Sequence, residues 1–499
     1  MVHTQQMWGQ LAAKMIRIGT HGSGARPIGG AEKDLDESEQ RWAPAARWFL
    51  TMSPDVGTST QIAATMNSRI YGPVVDVDQD GEQDLPEFDV RHPEMIAAQD
   101  RGNHHLRFEI TEGNTMSALG SFGKMGAYTG LPFVPVMTVY DFFIKRALDQ
   151  LYYDLYWGAE FILLGTPSGV TLSPEGAQHS WKSDIQMPGL VTWEPSFAVE
   201  LDWILSDAVK RQFERRNEGR NGVLIRAVTR SLPQKMLLEH LRHQKRFCAD
   251  LPEDALLKPA GEGPEWGDAL DVGTLQNVPD AEILESIRRD CLEGAYTLID
   301  WRGYAGYEPG DNVVQLFCLG ALVTEAVDAS KALLALGIFA NVHVVSSPEL
   351  LCGILAHKND YRHLREGLGV SGDLNLQLAG QAANSAELVG LAGRRVPIVA
   401  VLDGEAGLLD NLGSIVGVRQ ITCAVRRFSK CGRPDQVFGY QSIDSGAVID
   451  AAGRALSETA LEDLVVPRSV LEALAGTARP VTRPHWRELW PVSPGENEA

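Results

Sequence analysis

Three polar segments, each placed where an apolar run ends, constrain this chain more than any other feature. FEITEGN (108–114) closes the run LRFEI, VYDFFIKRALDQ (139–150) follows FVPVMTVY, and LLGTPSGVTLSPEGAQHS (163–180) follows EFILLGT. Helix-like stretches at 117–127 and 142–157 separate them. Strands alternating with helical segments indicate an α/β fold with a parallel sheet. In such sheets ligands bind beyond the carboxyl ends of the strands. Glu112, Tyr140, Phe143 and His179 are therefore expected to meet at one sheet edge, in a site the size of a cofactor.

The alternation continues on both sides. RWFLTMS (47–53) reads as the first strand, with Asp55 at its carboxyl end. GLVTWEP (189–195), a helix over 197–216 and NGVLIRAVTR (221–230) complete a first unit, 1–230. The pattern weakens over 231–290, where mixed charge and KPAGEGPEWGD mark a linker. A second αβ unit, 291–499, has strands in AYTLIDW, NVVQLFCL, NVHVVSS, VPIVAVL and VRQITCAV and a helix over 321–336. Ahead of the first strand, Met7, Leu11, Met15 and Ile18 fall at helical spacing. The stretch 19–39 reads as a loop, and its HGSGARPIGG is no dinucleotide loop, because no strand precedes it and Pro27 interrupts it.

Composition excludes several classes. With 45 basic against 65 acidic side chains, net −20, nucleic acid is not the expected partner. The six cysteines form no CxxC pair or metal-ligand spacing, so reduced thiols in the cytoplasm are expected. No signal-peptide core follows Met1, and the longest apolar run, 332–345, contains Asn341 and His343 and is too short for a bilayer. No G-x-S-x-G elbow supports a serine hydrolase. DVDQDGEQDLPE places Asp76, Asp78, Asp80, Gly81, Asp84 and Glu87 at calcium-loop positions 1, 3, 5, 6, 9 and 12. Pro86 and the lack of an entering helix favour an acidic surface loop over a calcium site. His104 and His105 read as surface residues.

The three segments together resemble the pyrimidine-binding half of thiamine-diphosphate enzymes of the transketolase superfamily. FEITEGN is similar to the family's I-x-E motif. VYDFFIKRALDQ is similar to the segment ending Y-x-x-F-x-x-R-x-x-D-Q of deoxyxylulose-phosphate synthases. GTPSGVTLSPEGAQHS is similar to a loop of homodimer-type pyruvate dehydrogenase decarboxylating components. SPDVGTST and RRVPIVAVLDG add to the likeness, which runs from about residue 5 to 465. It implies a thiamine-diphosphate-binding fold, a pyrimidine domain with helices on both faces of a parallel sheet, followed by a transketolase C-terminal-like α/β domain.

It also implies roles. Glu112 matches the acid hydrogen-bonded to the pyrimidine ring nitrogen, which lets the aminopyrimidine act as the internal base. Alone, the same residue would read as a helix-start carboxylate complementing the dipole. Phe143 matches the aromatic stacked on the pyrimidine, with Tyr140 beside it. His179 matches the histidine that moves protons or orients substrate. Asp55 matches a polar position near the cofactor. Arg230 aligns with an arginine that contacts anionic substrate groups, or is a solvated strand-end charge. Glu109, Trp181 and Lys182 depart from the family pattern.

The family's Mg²⁺ and diphosphate anchor, Gly-Asp-Gly followed by Asn-Asn, is missing from this chain. The resemblance therefore implies a β-like subunit. A second subunit would carry the diphosphate domain with its Mg²⁺, as an α2β2 heterotetramer. The first activity implied is decarboxylation of a pyruvate-like 2-oxo acid, with the acyl unit passed on, for example to a lipoyl acyltransferase component. A split transketolase or acyloin-forming synthase, and a non-catalytic regulatory relative, are the alternatives.

Overall fold

The computed structural model describes residues 1–22, 33–54, 60–62, 65, 104–108, 110–170, 187–249, 251–259, 267–370, 396–430 and 432–459. Asp55, the acidic loop 76–87, Glu109, His179, Trp181 and Lys182 lie outside them.

A first sheet has six parallel strands. These are β1 (Phe49–Ser53), β2 (His105–Arg107), β3 (Val134–Val139), β4 (Phe161–Ser168), β5 (Leu190–Trp193) and β6 (Gly222–Val228), in the order β2-β1-β3-β4-β6-β5. Alternate residues along each strand serve opposite faces, as the period of two requires. Phe161 and Leu163 of β4 face the helices Glu112–Thr129 and Leu148–Trp157, whereas Ile162 and Leu164 join the cluster containing the helices Thr4–Thr20 and Ala198–Glu214. All four side chains are fully buried, and each contributes about 1.5–3 kcal/mol through its burial.

After a short pair, β7 (Leu257–Lys258) and β8 (Leu270–Asp271), the second sheet contains β9 (Ala295–Ile299), β10 (Val313–Leu319), β11 (Phe339–Val345), β12 (Ile398–Glu405) and β13 (Gln420–Val425). Its order is β13-β12-β10-β11-β9, parallel except for β9, which runs antiparallel at the edge. The polar residues inside the longest apolar run are satisfied within this sheet. His343 bonds Thr297 Oγ1 at 3.0 Å and Gln315 Oε1 at 2.8 Å, and Asn341 Oδ1 accepts from the Trp301 backbone N–H at 2.8 Å.

The two sheets share one core. A single cluster runs from Phe49, Val136 and Ile225 through Tyr296 and Leu298 to Leu316, Val344 and Val401. Further bonds join the units: Arg230 Nη2 to Glu325 Oε1 (2.9 Å), Glu194 N–H to Ser346 O (2.8 Å) and Tyr296 Oη to Glu200 Oε1 (2.5 Å).

Within 231–290 the described residues include helices Lys235–Leu241 and Asp280–Leu292, and Gln244 Nε2 donates to the carbonyls of Thr297 (2.7 Å) and Leu298 (3.1 Å). Two expectations change. His105 is buried and His104 half-buried, because their ring nitrogens bond Thr51 Oγ1 (2.9 Å) and Phe49 O (2.7 Å) of β1. The single helix expected over 142–157 is a 3-10 stretch, Asp141–Ala147, followed by the α-helix Leu148–Trp157.

Candidate cofactor site

The first sheet changes direction at β1. The chain leaves β1 for β2 on one side, then returns across it to β3 on the other. The crevice beyond β1 and β3 is thus the place where ligands bind in such sheets. The chain leaving β2 supplies Glu112, and the chain leaving β3 supplies Tyr140 and Phe143.

Glu112 is the first residue of the helix Glu112–Thr129, with Thr111 as its N-cap residue. Its carboxylate stands where unpaired helix N–H groups favour negative charge. Only 5% of the residue is exposed. Its partner is Arg146, whose Nη1 donates to Glu112 Oε1 at 2.7 Å.

At the end of β3, Tyr140 (φ −55°, ψ 130°) turns the chain into the 3-10 stretch. That stretch is fixed at its start by Asp141, which accepts from Arg226 Nε of β6 at 3.0 Å and from Ser168 Oγ of β4 at 2.8 Å. All three are buried. In a 3-10 helix residues i and i+3 eclipse, so Phe143 and Arg146 lie one above the other. The Arg146 Cζ sits 3.5 Å from the Phe143 ring centroid. Tyr140 and Phe142 pack on the same ring, at 5.5 Å edge-on and 4.0 Å tilted. A flat group with N–H donors therefore lies on the Phe143 face, with its edge against a buried carboxylate. A pyrimidine ring fits the same cradle of one aromatic face and one carboxylate.

The structure thus brings Glu112, Tyr140 and Phe143 together. Arg230 makes its bonds elsewhere. It follows β6, two strands from β3 and four from β2, so about 10 Å and 19 Å across the sheet. Its guanidinium donates to Ala321 O (3.1 Å) and Glu325 and lies 4.8 Å from the Phe438 ring. The loop after β4 begins against the second sheet: Val170 N–H donates to Asp403 Oδ1 at 2.9 Å, and Gly169 (φ +105°) leaves no room for a side chain beside that carboxylate. Among the described residues no group of three or more His, Cys, Asp or Glu converges as metal ligands.

Sequence reasoning missed Arg146 and the Asp141–Arg226–Ser168 lock. The signal for Arg146 was its position three residues after Phe143. The lock joins three strands' ends and has no local signature, although an arginine inside the apolar run GVLIRAV demands a buried anion.

No family model matches the chain, and no curated protein matches it. Among solved structures, transketolase from Leishmania mexicana is 14% identical with a TM-score of 0.50, the match covering 92% of this chain and 50% of that one. A split-gene transketolase, an inactive β4 tetramer, is 13% identical with a TM-score of 0.46, covering 92% and 99%. Transketolase from Campylobacter jejuni subsp. jejuni is 12% identical with a TM-score of 0.44, covering 84% and 46%. The chain spans about half the length of the Leishmania and Campylobacter enzymes. With its helix-flanked parallel sheets, it has a transketolase-like α/β fold.

Proposed function

We propose that this chain is the pyrimidine-side subunit of a split thiamine-diphosphate enzyme. One observation carries the reading: Glu112 and Phe143 hold a planar N–H donor between a buried carboxylate and an aromatic face. In this assignment residues 1–230 form the pyrimidine-binding unit, 231–290 connect, and 291–499 form the C-terminal unit. Glu112 would hydrogen-bond the pyrimidine ring nitrogen, Phe143 would stack on the ring, and Tyr140 would hold Phe143 edge-on. Asp55 would add a polar contact, and His179 would handle protons at the reacting carbon. The chemistry supplied by bound thiamine diphosphate is nucleophilic attack on a substrate carbonyl, which weakens the neighbouring carbon–carbon bond.

The diphosphate and Mg²⁺ are assigned to a second subunit, in an α2β2 assembly. One fact supports this: the sequence contains neither Gly-Asp-Gly nor Asn-Asn. The helix Glu112–Thr129, toward its end away from Glu112, and the helix Leu148–Trp157 beside it expose Tyr128, Tyr152, Tyr153 and Tyr156, the last at 90%. Large exposed aromatics grouped on one face mark an interaction surface. We assign the protein to the cytoplasm, since the described cysteines are free thiols and no described helix is long and apolar enough to cross a membrane.

The donor in this reading is a pyruvate-like 2-oxo acid, with a lipoyl group as a suitable acceptor. The competing reading, transfer of a two-carbon unit from a ketose as in a split transketolase, leaned on Arg230 as an anion contact. Arg230 pairs with Glu325 in the free chain, and the two readings are separated by whether the acceptor is a lipoyl group or an aldehyde.

A pull-down from native extract tests the assembly. The expected result is a stoichiometric partner containing Gly-Asp-Gly and a later Asn-Asn. The reconstituted pair should then release CO₂ from pyruvate with an artificial electron acceptor. A chain recovered alone, or thiamine-diphosphate activity of the isolated chain, would overturn it.

A further inference from the structure

We infer that Arg146 is an internal occupant of the ring site, and that the 3-10 stretch Asp141–Ala147 is the gate that admits or excludes the pyrimidine ring. The inference rests on the reading of Glu112 and Phe143 as the ring site. A guanidinium and an aminopyrimidine ring are both flat, and both offer N–H groups in the plane with π-faces above and below. Arg146 already makes the contacts assigned to the ring: its plane lies on Phe143 and its Nη1 on Glu112 Oε1. Arg146 and the ring cannot occupy that place together.

The backbone supplies the motion. Seven residues of 3-10 helix exceed the three or four that are common. The stretch runs directly into the α-helix Leu148–Trp157, with Ala147 (φ −121°, ψ 19°) at the joint. DFFIKRA contains no proline or glycine to prevent α-helix. Rewinding from three to 3.6 residues per turn rotates residue i+3 by about 60° relative to residue i. That rotation shifts Arg146 relative to the Phe143 face and moves the buried Ile144 and Ala147 with it, while Asp141, locked to Arg226 and Ser168, stays in place. Half of the Arg146 side chain is already solvent-exposed, so it can swing out to water. In the free chain the gate is closed. In the assembly, diphosphate contacts made by the second subunit give the cofactor the additional affinity needed to displace Arg146.

Titration of the full chain with 4-amino-5-hydroxymethyl-2-methylpyrimidine tests this, because that probe needs only the ring site. Arg146→Ala should bind it at least ten-fold tighter than wild type. Methylguanidinium at millimolar concentration should compete with the probe in the variant and raise the variant's Tm, with no effect on wild type. In wild type, saturation with the probe should change amide exchange across 141–147. Equal or weaker binding by Arg146→Ala than by wild type would overturn the gate while leaving the ring site standing. Failure of both chains to bind the probe, with methylguanidinium still raising the Tm of Arg146→Ala, would overturn the ring-site reading and the gate with it.

Discussion

Glu112 is held by one side-chain partner, Arg146, and by its place at a helix start. Its replacement therefore separates structure from chemistry. Glu112→Gln keeps the shape and the hydrogen-bonding capacity but loses the acid. In the reconstituted enzyme it should lower kcat about 10²–10⁴-fold, the range for loss of a positioned proton-handling group, while the Tm falls by only a few degrees. Unchanged turnover would remove Glu112 from the cofactor's chemistry and favour the non-catalytic relative. Asp141 is the contrasting residue. It is buried against a buried Arg226 and also accepts from Ser168, and losing one member of a buried ion pair costs up to about 3–5 kcal/mol. Asp141→Ala should therefore show a large loss in urea denaturation. A loss below about 1 kcal/mol would mean that Arg226 finds another anion.

At the scale of elements, the helices Glu112–Thr129 and Leu148–Trp157 meet at Gly120, where a Cβ would run into the Asp154 carboxylate. Asp154 Oδ2 is buried without a hydrogen bond, and burial raises the carboxyl's pKa to about 7. Since the folded value lies above the unfolded one, Asp154 costs stability as pH rises through 7. Asp154→Asn should thus gain on the order of 2 kcal/mol more over wild type at pH 8 than at pH 5; a gain independent of pH would refute the account. Gly120→Ala should destabilise by about 1–3 kcal/mol through overpacking, despite alanine's better helix propensity. These elements also show what the sequence made legible. The strands of both sheets could be read because apolar runs such as FVPVMTV and NVVQLFCL are bounded by polar turns. The helix Glu37–Ala46 was hidden by Pro44 within it, although Asp36 and Glu39 form the capping box that announces it. The helix Asp280–Leu292 buries only Ile283, Ile287 and Cys291 among charged residues, too thin a stripe to stand out. Glu112, Tyr140 and Phe143 were legible as a site. The role of Arg146 was not, because seven residues cannot distinguish a period of 3.0 from 3.6, and that difference places its guanidinium on Phe143.

For the whole molecule, the joint between the two sheets includes a fully buried polar contact beside its apolar core. Glu200, on the helix packed behind the first sheet, is fully buried and accepts from Tyr296 Oη of β9 at 2.5 Å and from the Ser196 backbone N–H at 2.6 Å. Burial raises its pKa from 4.5 to about 7, against the opposing effect of those two hydrogen bonds. A carboxyl whose folded value is the higher one binds its proton more tightly in the folded state. Its contribution is complete below pH 4.5 and is lost as pH rises through 7. The loss amounts to on the order of 3 kcal/mol. Because its partner Tyr296 belongs to the cluster that runs through both sheets, the loss falls on the chain as one cooperative unit and not on either sheet alone. Calorimetry should show one transition joining the sheets, with a Tm lower at pH 8 than at pH 5. Glu200→Gln, which keeps one of the two acceptor oxygens and cannot ionise, should remove part of that difference by comparing better with wild type at the higher pH than at the lower. Two separate transitions would break the common core into independent domains. A Glu200→Gln difference that stays constant across the pH range would show that the joint does not titrate.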